Sequence, residues 1–182
     1  MTTLDLSHNK IGSLGSRYLG RILSLPGCVI MSLDLSDNLL DSESGQYLAS
    51  ALRRNDTLAD LSLRLNQLGD AGAVPLLEAA AGHSCLQSLD LASNGLGRAS
   101  AEAFASLARN ASSGLVVADL SSNDMDEDAA EAIQEALQGN ASLTSLDMRG
   151  NEGLPLDSAV LDIIQQATRR NELALRQLAR PE

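Results

Sequence analysis

Residues 58–68 read Leu58-Ala59-Asp60-Leu61-Ser62-Leu63-Arg64-Leu65-Asn66-Gln67-Leu68. Leu61 and Leu63 flank a single polar residue, the alternation of a short strand with one buried face. Asn66 closes the phrase and Leu68 resumes the apolar series. The phrase recurs: Ile30, Leu33, Leu35, Asn38, Leu40; then Leu86, Leu89, Leu91, Asn94, Leu96; then Leu115, Ala118, Leu120, Asn123, Met125. A first copy gives Leu4, Leu6, Asn9 and Ile11, and a sixth gives Leu143, Leu146, Met148 and Asn151. Successive asparagines are separated by 29, 28, 28, 29 and 28 residues.

A second pattern follows each asparagine. Ten residues on stand Leu19, Leu48, Leu76, Phe104, Ile133 and Leu161, and thirteen on stand Ile22, Ala51, Ala79, Leu107, Ala136 and Ile164. That spacing marks one face of a helix. Six residues on, five of the six are small: Gly15, Ser44, Gly72, Ser100 and Ala129, against Asp157. Each unit is therefore one strand, one turn and one helix, too small to bury its own apolar face. Stacking makes a shared core. Helices are about 10 Å wide and paired strands about 4.8 Å apart. The array must curve, with six parallel strands on the concave side and helices on the convex side. The asparagines are expected to turn inward and satisfy backbone groups of adjacent turns. The array is expected over residues 1–156, with residues 157–182 forming a long capping helix of the same domain.

Period and phrase resemble the leucine-rich repeat, and the helix-bearing unit of 28–29 residues resembles the ribonuclease-inhibitor-like class of it. The resemblance runs from Met1 to about Gln166. It implies an α/β solenoid that binds proteins.

The chain has 182 residues, 13 Lys and Arg against 24 Asp and Glu, and a net charge of −11. That argues against a nucleic-acid groove or an anionic membrane surface and suits basic protein partners. The start, Met-Thr-Thr-Leu-Asp, has no basic flank followed by an apolar segment, so no signal peptide is expected. Cys28 and Cys85 lie about two repeats apart, roughly 10 Å by strand spacing, too far to join. Free thiols fit a cytoplasmic compartment. The three Asn-x-Ser/Thr sites, at Asn55, Asn110 and Asn140, fall where helices end, and a left-handed backbone is expected at each.

No catalytic constellation stands out. His8 and His83 are far apart in the array, and no phosphate loop or Cys-x-x-Cys occurs. No catalytic, cofactor or metal site is expected. Two columns should face outward from the strands: Asp5, Asp34, Ser62, Asp90, Asp119 and Asp147; then Ser7, Ser36, Arg64, Ala92, Ser121 and Arg149. In register they form an acidic ladder about 24 Å long, interrupted by Ser62 beside Arg64. Arg64 and Leu65 are of the types that anchor interfaces. The candidate partner-binding set is Asp5, Asp34, Arg64, Leu65, Asp90, Asp119, Asp147 and Arg149, facing a basic or helical protein segment. Tyr18, Tyr47 and Phe104 are expected to pack within the helical layer. Asp126, Glu127, Asp128, Glu131 and Glu135 are expected on a solvated outer face. The first repeat is expected to leave an open edge. The last should be sealed by a stripe of Val160, Leu161, Ile164, Ala167, Thr168, Leu175 and Leu178, with Arg169, Arg170, Arg176 and Arg180 in the half of the helix that favours cations. Pro75 lacks an N–H, so the third helix should begin near Gly72–Val74 or open with an irregular turn.

The phrase Leu61-Ser-Leu-Arg-Leu-Asn-Gln-Leu-Gly-Asp-Ala-Gly72 and the long final helix resemble the leucine-rich subunits of the ciliary nexin–dynein regulatory complex, the T-complex-associated testis-expressed type. That resemblance implies a non-enzymatic structural subunit of a large axonemal assembly. Two other classes share the repeat length: the Ran-type GTPase-activating proteins and the ligand-sensing arrays of innate immune receptors.

Overall fold

A computed structural model describes residues 2–178. Met1, where the repeat array is expected to begin, and Arg180 lie outside them. Twelve elements alternate. The strands are β1 (Thr3–Asp5), β2 (Ser32–Asp34), β3 (Asp60–Ser62), β4 (Ser88–Asp90), β5 (Val117–Asp119) and β6 (Ser145–Asp147). The helices are α1 (Gly12–Leu23), α2 (Ser42–Leu52), α3 (Gly69–Ala81), α4 (Arg98–Arg109), α5 (Glu127–Leu137) and α6 (Ala159–Leu178). The strands form one parallel sheet in sequence order, β1 to β6, and each helix packs on the next.

Strand register places Leu4, Leu33, Leu61, Leu89, Ala118 and Leu146 side by side. From the second repeat onward these residues and the next leucines, such as Leu35, Leu63 and Leu91, are buried. They meet Leu48, Leu76, Phe104 and Ile133 from the helices in one continuous core.

The asparagines form the expected ladder. Asn66 shares its two N–H groups among the carbonyls of Leu35, Leu63 and Arg64, and its Oδ1 accepts from the Leu40 N–H. Asn38, Asn94, Asn123 and Asn151 do the same one repeat apart. Inward aim has a backbone cause. The residue before each of five asparagines is left-handed without being glycine: His8, Asp37, Leu65, Ser93 and Ser122, with φ between 50° and 56°. Cross-strand bonds hold that conformation, for example Leu65 N–H to the Ala92 carbonyl.

Helix packing tightens where side chains vanish. A Cβ on Gly45 would lie 2.4 Å from the Gly72 carbonyl oxygen, so α2 and α3 approach backbone to backbone. Asp70 reaches across a repeat and accepts from the Gly97 and Ser100 N–H groups and the Ser100 hydroxyl, capping α4.

Several expectations are corrected. Helix α3 starts at Gly69 and runs through Pro75. The carbonyl that the proline leaves without its N–H belongs to Ala71, which is exposed, so water can satisfy it. Asn55, Asn110 and Asn140 are not left-handed. They form a second ladder at the helix ends, donating to the carbonyls of Leu23, Ala81 and Ala108. Tyr18 is exposed and Tyr47 half-buried, so of the three aromatics only Phe104 is core. Tyr18 and Ile22 are exposed because no helix covers α1 on its outer side among the described residues.

Helix α6 is continuous through Asn171, as the long capping helix requires. Asn171 is buried and donates to Asn140 Oδ1 and the Leu143 carbonyl, the last rung of the second ladder. Arg170 beside it donates to the carbonyls of Leu137 and Asn140. The buried stripe ends there, since Leu175 and Leu178 are exposed.

Candidate protein-binding face

The strand face carries the expected columns, except that Ala92, assigned to the outward column, is buried. Asp5, Asp34, Ser62, Asp90, Asp119 and Asp147 are direct neighbours in register. Each aspartate also has a local task. Its Oδ1 accepts the N–H two residues on: Ser7, Ser36, Ala92, Ser121 and Arg149. The recurring Asp therefore closes the turn that ends the strand.

The face is less uniformly acidic than the column of aspartates implies. The Arg64 guanidinium stretches over β4 and lies 3.9 Å from Asp119. Arg149 is paired with Asp147 through Nε and Nη2. That pairing holds the Asp147 carboxyl below its ordinary value, the Arg149 hydrogen bond being the largest cause. Asp5, at the exposed end, is lowered by its bonds from Ser7. Asp90 is pushed up, first by burial and then by like charge on Asp119 and Asp34, against the Ala92 N–H and Arg64. Asp34, Asp90 and Asp119 thus crowd negative charge around one arginine.

Leu65 departs from the repeat. Corresponding residues are His8, Asp37, Ser93, Ser122 and Gly150, all polar or glycine. Leu65 is 47% exposed at a left-handed backbone position. Leu39, on the same rim one repeat earlier, is also exposed. Val117 adds an exposed apolar residue to the strand face, which the sequence reading missed. It was legible as valine where other repeats have Thr3, Ser32, Asp60, Ser88 and Ser145.

Away from this face, Cys28 and Cys85 are free and line one open hollow with Val29 and Met31. His8 Nδ1 lies 2.7 Å from Asp37 Oδ2. Asp126 caps α5 through the Ala129 N–H. No helix of the described residues is long and apolar enough to cross a membrane.

Six parallel strands in sequence order, each followed by a helix and closed by an asparagine rung, define a leucine-rich repeat solenoid. Comparison with known proteins agrees. A family model described as "Leucine Rich repeat" matches residues 1–20, 54–77, 82–105 and 139–154. The chain is 30% identical over 184 aligned residues to human "NACHT, LRR and PYD domains-containing protein 5", across 85% of this chain and 15% of that protein. It is 36% identical over 139 residues to human "NACHT, LRR and PYD domains-containing protein 12", across 76% of this chain and 13% of that one. With mouse "Ribonuclease inhibitor" it shares 34% over 135 residues, 74% of this chain and 29% of the inhibitor. The chain thus spans less than a third of each of these relatives.

Among solved structures, the actin-binding site 2 domain of leiomodin-1 superposes with a TM-score of 0.60 at 15% identity, covering 97% of this chain and 84% of that one. The tropomodulin C-terminal domain of Caenorhabditis elegans gives 0.57 at 13%, covering 99% and 90%. At these identities the likeness is one of fold. The protein is a leucine-rich repeat protein related to NACHT–LRR proteins and to ribonuclease inhibitor.

Proposed function

We propose that the protein is a non-enzymatic scaffold that docks a basic or helical segment of another protein on its concave strand face. Arg64 and Leu65 are the central anchors, with Asp5, Asp34, Asp90, Asp119, Asp147 and Arg149 the surrounding charges. The observation that carries this reading is Leu65. A left-handed backbone costs an L-residue roughly 1–2 kcal/mol, and half of the side chain stays in water. The fold gains little from leucine there, whereas an interface would bury it. Neighbouring acidic charge fits a cationic partner and would steer its approach.

The experiment is affinity capture from cell lysate with quantitative mass spectrometry, comparing three folded proteins. Asp34, Asp90 and Asp119 are changed together to Asn in one variant, which keeps the Oδ1 that closes each turn and removes only charge. Leu65→Asn is the second, and the convex control changes Glu131 and Glu135 to Gln. Partners should be lost from the first two and kept by the third. Loss from the convex control alone would move the docking face to the helices.

The relatives found favour an innate-immune-receptor type of ligand-sensing array as the setting. The axonemal subunit, in a cytoplasmic assembly of the cilium, rests on the Leu63-Arg64-Leu65-Asn66 phrase and the long α6. Partners identified by capture separate the two. Stimulation of GTP hydrolysis by a Ran-type GTPase on adding the protein would overturn the non-enzymatic reading.

A further inference from the structure

The second ladder has one rung that can titrate. At the helix ends stand Asn55, His83, Asn110, Asn140 and Asn171. Asn55 and Asn140 each do two jobs. Their Oδ1 accepts the N–H three residues on, from Leu58 and Leu143. Their Nδ2 ties the repeat to a carbonyl ending the previous helix, of Leu23 and Ala108. His83 does only the first. Its Nδ1 accepts the Leu86 N–H at 3.0 Å. Its Nε2 is the one buried side-chain nitrogen or oxygen among the described residues with no hydrogen-bond partner. The ring is 4% exposed.

Accepting at Nδ1 fixes the tautomer: the ring is neutral with its proton on Nε2. It also excludes a metal at Nε2, because ligation there needs the proton on Nδ1. Protonation would set an Nδ1–H against the Leu86 N–H, two buried donors facing each other. The ring borders a hollow of about 300 Å³ between the ends of α2 and α3. Charged groups there are Asp56, from the segment before β3, and Arg53 of the α2 end, paired with Glu78 of α3 at 3.7 Å. Asp56 and Glu78 offer an imidazolium a destination outside the seam.

We propose that His83 is an acid-released latch on the turn that leads from α3 into β4. In the neutral state the ring is buried and holds Leu86. In the protonated state it swings toward Asp56 and Glu78, and residues 82–86 open beside the half-buried Cys85. Burial holds the ring below the ordinary histidine value despite the Asn55 carbonyl and Asp56, which act the other way. Release therefore belongs below the ordinary histidine range. At Asn55 and Asn140 an amide, which does not titrate, holds the same turn at every pH.

The chain has two histidines, so NMR of the full chain follows His83 with the exposed His8 as an internal comparison. Amide hydrogen exchange is read at Leu58, Leu86 and Leu143 over the same pH range. As the pH falls below the ordinary histidine value toward the lowered value of the closed ring, the protection factor of Leu86 should fall about tenfold per pH unit, the dependence of an opening linked to one proton. Leu58 and Leu143 should keep theirs. In His83→Asn the Leu86 amide should stay protected throughout. Constant Leu86 protection across the His83 titration would overturn the latch. So would parallel loss at all three leucines, which reports general unfolding. The comparison within the wild-type chain stands even if the variant folds poorly.

Discussion

Replacing Asn123 by Leu removes one rung of the main ladder while nearly preserving volume. The Asn123 side chain makes five hydrogen bonds. Its Nδ2 donates to the carbonyls of Leu91, Leu120 and Ser121, and its Oδ1 accepts from the Asn94 and Leu96 N–H groups. The two sets are not equal in consequence. Each carbonyl has a second donor: Asn94 Nδ2 on Leu91, Asn151 Nδ2 on Leu120, and the Ser93 N–H on Ser121. The two N–H groups are buried and lose their acceptor. An orphaned buried donor costs about 1–3 kcal/mol, so with two of them Asn123→Leu should cost about 2–6 kcal/mol. The same change at Asn9 is the control. Asn9 is exposed and donates only to the carbonyls of Leu6 and Ser7, where water can substitute, so its cost should stay below about 1 kcal/mol. Urea titration at pH 7 with a common slope measures both. Equal costs at the two sites, or less than about 1 kcal/mol at Asn123, would refute the ladder as a source of stability.

Leu91 is fully buried between sheet and helices, and Leu91→Ala should lose about 2–5 kcal/mol; less than about 1 kcal/mol by urea titration would show the strand facing the other way. Leu65→Asn should leave thermal stability unchanged or raise it by up to about 1 kcal/mol, since relief of the left-handed backbone outweighs the packing of a side chain already half in water. A drop larger than that, measured by calorimetry, would make Leu65 a packing residue and remove the observation behind the proposed anchor. Burial raises Asp70, but its bonds from Ser100 and Gly97 outweigh that and leave the carboxyl below its ordinary value. A depressed native value gives stability that is full above about pH 4 and lost as the pH falls through the native value. Asp70→Ala should therefore weaken the protein near neutral pH and flatten its loss of stability below about pH 4. An unchanged acid limb in urea midpoints would show that the cap contributes nothing.

The scaffold was legible because a repeat states its constraints six times. Leucine spacing gave the strand face, the helix positions and the inward asparagines. What escaped was set by contacts between repeats. Asn55, Asn110 and Asn140 are spaced like rungs, yet asparagine at a helix end equally suits a left-handed cap. Only the neighbouring carbonyl decides between them. The true left-handed positions, His8 to Ser122, carry no glycine signal, because cross-strand bonds impose the backbone on whatever residue stands there. Tyr18 occupies a helix position that packs in later repeats and is exposed in the first, since burial there depends on a neighbour. Of the candidate face, the columns were readable from the alternation. The double use of Asp34, Asp90 and Asp119 was not, because the turn each one closes appears only when the next N–H is placed.

That double use bears on where function can be sought in such a chain. A residue present in every repeat is already accounted for by the repeat: aspartate closes a turn, asparagine bridges carbonyls, leucine fills the core. Its recurrence says nothing about a partner. Information about binding is concentrated in departures that the fold does not require. Arg64 and Leu65 stand where serine and a small polar residue would serve the backbone better, and Val117 exposes a branched apolar side chain on a strand of polar neighbours. His83 departs at a position where asparagine would complete the hydrogen bonding. Two of these departures, Leu65 and His83, replace a residue that would suit the local structure better, and both lie in the third unit. Local cost without local return, repeated within one unit, is the physical mark of a segment selected for something other than stability. That makes the third unit, rather than the charge column as a whole, the first place to test for the proposed docking site.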